Sequence, residues 1–257
     1  MESSSRVGRA PDRPGWHTAL MRVTARRIAA ALLATATTLA LAGCSGDDDG
    51  DGGGDDPQAQ LDTAADLLNE ASSVRFTVEG EDLPDDGTVV LGAEGVAVPP
   101  ASFEGDIRIR AGALPATVAV VSVDGQLWAQ LPLTNGFAEV DAEELGFGDP
   151  GLLIDPDEGV SQLLTSGSEV TAGDQVRIDG EVYDQVESVL PGELVGRILA
   201  IADPTAEVQA VWALDSDSGH LRQATLTGPF YEGGDEQSYS VQLDDYDEPA
   251  EISAPDS

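Results

Sequence analysis

The residue with the best-defined chemistry in this chain is Cys44, the single cysteine. Leu41-Ala42-Gly43 precede it and Ser45-Gly46 follow, so small residues lead up to a cut and a thiol stands directly after it. Upstream lie Arg22, Arg26 and Arg27, then Ile28 to Ala40, an uncharged run of Ile, Ala, Leu and Thr. A bilayer-spanning helix needs about 20 apolar residues, and this run is shorter; it has the length of a leader's apolar core. The pattern predicts that residues 1–43 are a lipoprotein signal peptide, with Met21 the better start. The Cys44 thiol would take a diacylglyceryl group, and two or three acyl chains anchor a protein where a single chain does not. The mature chain is then expected at the cell membrane, lipid-anchored on the extracytoplasmic face. An uncleaved anchor helix with a chance cysteine is the alternative.

The other reactive side chains mostly exclude chemistry. The sequence has no lysine, which removes P-loops, Schiff bases and Ser-x-x-Lys nucleophiles. No Gly-x-Ser-x-Gly elbow occurs. After residue 43 one histidine remains, His220, just beyond the turn residues Asp217-Ser218-Gly219; such a residue reads as a solvated strand end rather than a base. One histidine without a free thiol cannot build a zinc site. Asp47, Asp49, Asp51 and Gly52 match the start of an EF-hand loop, but the twelfth position is Gln58 where a bidentate Glu is needed. Asp155-Pro156-Asp157-Glu158 and Asp215-Ser216-Asp217 read as helix-start and turn residues. No metal, cofactor or catalytic residue is assigned. Carboxylate-pair chemistry stays open, because acids are everywhere.

Removing residues 1–43 takes away six arginines and two acids, leaving 46 acidic against six basic residues. Such a surface repels nucleic acid and anionic membrane surfaces, so no nucleic-acid partner is expected. With one cysteine there is no intrachain disulfide, and a core must hold the fold.

Residues 44–57 are the lipidated cysteine and a Gly/Asp-rich tether, and residues 58–257 form one domain. Leu61, Ala64, Ala65, Leu67, Leu68 and Ala71 recur at helical spacing and predict an opening amphipathic helix over 58–71. Strands are predicted at 74–79, 88–98 and 103–111, where Phe103, Ile107 and Ile109 alternate with Glu104, Asp106, Arg108 and Arg110. Residues 115–123 are apolar on both faces, and Asp124-Gly125 turns the chain into 126–131. Short helical pieces are expected around 142–145 and 159–164, strands at 175–179 and 181–189, and a helix from Pro191 to about Ile201. Strands at 206–214, 220–228 and 237–246 close the chain. The fold class is α+β: about ten antiparallel strands in a strongly curved, incompletely closed sheet, with helices on one face.

Val121-Ser122-Val123-Asp124-Gly125-Gln126-Leu127-Trp128-Ala129-Gln130-Leu131 resembles a signature segment of the LppX–LprG lipoproteins of the actinobacterial cell envelope. So do the stretch Asp149 to Val160 with Leu163-Leu164, Val211-Trp212 with Gly219-His220-Leu221, and Val241 to Tyr246. The resemblance implies a half-barrel with helices on its concave face, enclosing an apolar cavity for the acyl chains of a lipid or glycolipid. It implies carriage toward the outer envelope, without catalysis, and an export transporter as a partner. It also implies that Gly105-Asp106-Ile107-Arg108-Ile109 is the cavity strand, with Ile107 its best-matched wall position. Lining residues are then Ile107, Ile109, Val118, Val120 and Trp128 from the sheet and Leu152, Leu153, Leu163 and Leu164 from the helical segment. Two readings compete: a structural lipoprotein whose core is filled, and an envelope-polymer enzyme module using carboxylates.

Overall fold

Asp56 and Pro57 start the first helix, α1 (Pro57–Glu70), in a computed structural model that describes residues 56–255 apart from 113, 132–133, 143–147, 200 and 234–235. The Asp56 carboxylate accepts from the Gln58 N–H at 3.0 Å, and proline at the first helical position costs no hydrogen bond. The helix buries Leu61, Ala64, Ala65 and Leu68. The lipobox, the acidic tether and the EF-like aspartates lie outside the described residues. So does most of the helical piece expected at 142–145.

Five strands follow: β1 (Val74–Glu81), β2 (Thr88–Val98), β3 (Ser102–Ala111), β4 (Leu114–Val123) and β5 (Gln126–Gln130). A short β6 (Ala138–Val140) and a 3-10 turn, Pro150–Ile154, lead to α2 (Val160–Ser166). Then come β7 (Ser168–Ala172), β8 (Val176–Ile178), β9 (Glu181–Pro191) and α3 (Gly192–Val195). The chain ends with β10 (Glu207–Asp215), β11 (Leu221–Gly228) and β12 (Gln237–Asp244).

All twelve strands belong to one antiparallel sheet, in the order β6-β5-β4-β3-β2-β1-β12-β11-β10-β9-β7, with β8 also paired to β9. The first and last strands meet in its middle, Val78 opposite Val241, so two meanders are joined along one seam. The sheet does not close on itself: β6 and β7 are its two ends. Twelve strands rather than about ten is the first correction; β6 and β7 are the additions.

The second correction concerns the helix expected from Pro191 to about Ile201, of which four residues are helical. Gly192 packs so tightly that a Cβ there would lie 2.7 Å from the Ala206 carbonyl oxygen, and its N–H donates to that same oxygen at 2.8 Å. This contact ties the start of the segment to the strand that follows; past Val195, where Gly196 stands, the bonds tighten to three-residue spacing, from the Arg197 N–H to the Leu194 carbonyl at 3.2 Å and from the Ile198 N–H to the Val195 carbonyl at 3.0 Å. Turns follow as far as Leu199, the last described residue before 200, whose N–H bonds the Val195 carbonyl at 2.9 Å.

Directly opposed residues of an antiparallel pair share a face. Following the pairs gives one row across eight strands: Val186, Trp212, Ala224, Val241, Val78, Ala93, Ile107 and Val118. All are buried except Ala93, which is half-buried and packs against the rest. The 3-10 turn contacts β2, β3 and β4, while α1 contacts α2 and β7.

Candidate functional site

Ile107 pairs with Val118 and Ala93, and two residues along β4 Val120 pairs with Gly105 and Ala129. Ile107, Val118 and Val120 therefore stand on one face, and each is buried. Ile109 continues that face, half-buried, opposite Val90 and Ala116. Leu153, Leu163 and Leu164 of the helical segment belong to the same core cluster, and Leu152 is half-buried beside them. The structure thus brings Ile107, Ile109, Val118 and Val120 together on the core face and sets Leu153, Leu163 and Leu164 in the core with them.

Trp128 is placed differently. The two-residue turn Asp124-Gly125 pairs Val123 with Gln126, which sets Leu127 against Ser122, Trp128 against Val121 and Ala129 against Val120. Leu127 and Ala129 face the core, and Trp128 stands on the opposite face with Val121 and Glu139. It does not share a wall with Ile107.

Phe103 explains two glycines of this region. Gly95 and Gly105 are directly opposed, and a Cβ on either would strike the Phe103 ring, at 2.4 and 2.9 Å. The bare backbone lets the ring lie flat over both strands, with Phe103 buried at 1% exposure.

Two polar contacts are buried in the apolar core. Trp212 Nε1 donates to Ser188 Oγ at 2.9 Å, both fully covered. Where the β2–β3 ladder slips between Val90 and Gly92, two tyrosines take over the backbone of Val90. The Val90 N–H donates to Tyr231 Oη at 2.8 Å, Tyr239 Oη donates to the Val90 carbonyl at 2.8 Å, and the two hydroxyls are 2.6 Å apart. Burial, with the bond to Tyr231, pushes the Tyr239 hydroxyl well above its ordinary pKa. Ser122 Oγ, fully buried on the core face, has no hydrogen-bond partner among the described residues. Sequence reasoning missed it: one serine among valines carries no pattern.

His220, directly before β11, stands edge-on to the Tyr246 ring at 4.6 Å. Among the described residues no group of three His, Cys, Asp or Glu side chains is placed to hold a metal ion. No described helix is long and apolar enough to cross a membrane. Beyond β12 the chain straps the α1–β1 junction: Asp247 accepts from the Ser72 N–H at 2.7 Å, its own N–H donates to the Ser73 carbonyl at 3.0 Å, and Asp245 pairs with Arg75 at 2.8 Å.

A family model described as LppX_LprAFG lipoprotein matches residues 56–252. Among solved structures, LprF from Mycobacterium bovis is similar with a TM-score of 0.59 at 12% identity, covering 77% of this chain and 96% of that one. The Mycobacterium tuberculosis lipoprotein LppX gives a TM-score of 0.54 at 17% identity, covering 77% of this chain and 98% of that one. No curated protein matches in sequence.

Proposed function

Because the chain belongs to the LppX_LprAFG lipoprotein family, we propose that it is a non-enzymatic carrier of acyl chains. It is anchored through Cys44 on the extracytoplasmic face of the cell membrane. It receives a lipid or glycolipid between the core face of the sheet and the layer of α1, the 3-10 turn and α2, and presents it toward the outer envelope, with an export transporter as the partner that hands it on.

The observation that carries this reading is the apolar row from Val186 to Val118, flanked by helical pieces that meet the sheet through side chains. An acyl chain offers the same surface as the side chains it would displace. Each buried CH₂ contributes about 0.8 kcal/mol, so a two-chain lipid is held by many small gains and few polar contacts. Wall positions are Ile107, Ile109, Val118 and Val120, with Leu127 and Ala129 in place of Trp128, and Leu152, Leu153, Leu163 and Leu164 opposite.

One specific observation favours a second reading, a structural lipoprotein with a filled core. Val118 and Leu164 are 0% exposed and Ile107 is 3% exposed, so protein atoms cover them rather than a water-sized void. On the carrier reading the helical layer parts to admit a ligand; on the filled-core reading it stays shut. Native mass spectrometry of the purified full chain separates the two. Bound lipid is expected, and its absence from every preparation, including protein mixed with lipid extract, overturns the carrier.

A further inference from the structure

The outward side chains of β10, β11 and β12 form a second surface, on the face opposite the apolar row. On β11 they are Gln223, Thr225 and Thr227, alternating with the buried Ala224 and Leu226. On β12 they are Ser238, Ser240 and Gln242, alternating with the buried Tyr239 and Val241. Strand pairing lines them up with β10 in rows: Ala213, Gln223 and Gln242 form one, and Val211, Thr225 and Ser240 the next. Gln209, Thr227 and Ser238 form the third. No position in the three rows is charged.

That is unusual in this chain. After residue 43 it carries 46 acidic residues against six arginines. The outward positions of β1 include Arg75, Glu79 and Glu81, and those of β3 Glu104, Asp106, Arg108 and Arg110. Carboxylates stop at the margin of the uncharged patch. Its middle row ends on Glu187 of β9 and Glu79 of β1, and Glu207, Asp215 and Asp244 stand at the strand ends. A neutral window is framed by acid.

The frame repels a polyanion. A protein partner wants a buried aromatic or arginine anchor, and the window holds only Val211 and the covered Ala213 as apolar side chains. What it offers is amides and hydroxyls in a regular array. Among the described residues the side chains of Ser240 and Gln242 have no hydrogen-bond partner, and Gln223 Nε2 reaches Thr225 Oγ1 only at 3.4 Å. Each row advances by one strand, about 4.8 Å, close to the length of one pyranose unit in an extended chain. A sugar polymer crossing the strands meets one polar side chain per unit, and Val211 meets the C–H face of a ring. Uncharged groups suit that contact: a carboxylate covered by a neutral polymer loses its hydration and gains no counter-charge.

We propose that the outer face of β10, β11 and β12 docks a neutral polysaccharide laid across the strands. The site is separate from the core face and does not depend on the carrier reading.

The test is affinity electrophoresis of the full chain in nonionic detergent. The native gels hold a soluble neutral β-glucan, mannan, galactan or xylan, with carboxymethylated β-glucan as the charged control. At least one neutral polymer should retard the wild type, and the carboxymethylated one should not. Thr225→Glu sets a carboxylate at the centre of the window and should abolish the retardation. Ser240→Ala combined with Gln242→Ala should weaken it about tenfold, the effect of two modest net hydrogen bonds. These side chains are half-exposed, so both variants should melt near the wild type. Glu104→Gln, on the same face outside the window, should be retarded as the wild type is. Retardation by none of the four neutral polymers overturns the proposal, as does retardation that survives Thr225→Glu in a folded protein. If Thr225→Glu does not fold, undiminished retardation of the double alanine variant overturns it. A wild-type dimer that Thr225→Glu dissolves, seen by ultracentrifugation without any retardation, overturns it in favour of a second copy of the chain.

Discussion

At the scale of single residues, Ile107 separates the two readings of the core. Replacing it with Trp adds a ring to the core face, and overpacking a dense core costs about 1–3 kcal/mol. If the helical layer parts for lipid, Ile107→Trp should remain folded near wild-type stability and lose most co-purifying lipid, measured by urea unfolding and mass spectrometry on the same preparation. A loss of stability of that size, with no lipid in the wild type to lose, fits the filled core instead. Ser188 makes a prediction independent of function. Ser188→Ala strands the buried Trp212 N–H, and the unfolding free energy should fall by about 1–3 kcal/mol; an unchanged midpoint would mean that the indole finds another acceptor. The core face was legible where alternation was clean, as in Ile107 and Ile109 against Asp106, Arg108 and Arg110. Trp128 was not, because its size suggested a lining residue while the two-residue turn before it had already fixed its face. The hairpin register outranks the identity of the side chain.

At the scale of elements, the strap beyond β12 carries a pH dependence. The hydrogen bond from the Ser72 N–H, followed by that from its hydroxyl, holds the Asp247 carboxyl below its ordinary pKa. A depressed folded pKa gives stability that is fully present above the unfolded value, near 4, and is lost as pH falls through the folded value. Asp247→Ala should therefore melt below wild type at about pH 6, and the gap should narrow as pH drops toward about 2.5. A gap that stays constant would assign the strap's effect to packing instead. Most elements were legible because one sheet face is buried, which forces period-two alternation in β1, β3 and β12. The two missed strands lack that signal: β6 is three residues long, and in β7 Val170 alone is not exposed. The overextended helix after Pro191 had apolar residues at helical spacing in Leu194, Val195, Ile198 and Leu199. It gives way at Gly196, a poor helix former, beyond which the bonds tighten to three-residue spacing.

At the scale of the whole molecule, the proposal joins a membrane anchor to a carrier domain through the acidic stretch that follows Cys44. Cys44→Ala should release the protein into the medium or leave it as the unprocessed precursor. Normal processing and membrane retention in that variant would remove lipid anchoring from the account. The proposed anchoring would have a further consequence, set by the sheet that does not close. Copies held on one membrane share a thin layer and meet far more often than free molecules would, and an open sheet presents unpaired backbone at its ends. Long flat edges in that setting would zip neighbouring molecules together. Here one end is three residues long, with Glu139 at its centre, and the other carries Glu169 and a shift of register between Ser168 and Thr171. Short, charged and irregular ends resist strand-to-strand joining, so a crowded layer of these molecules can stay a population of separate ones.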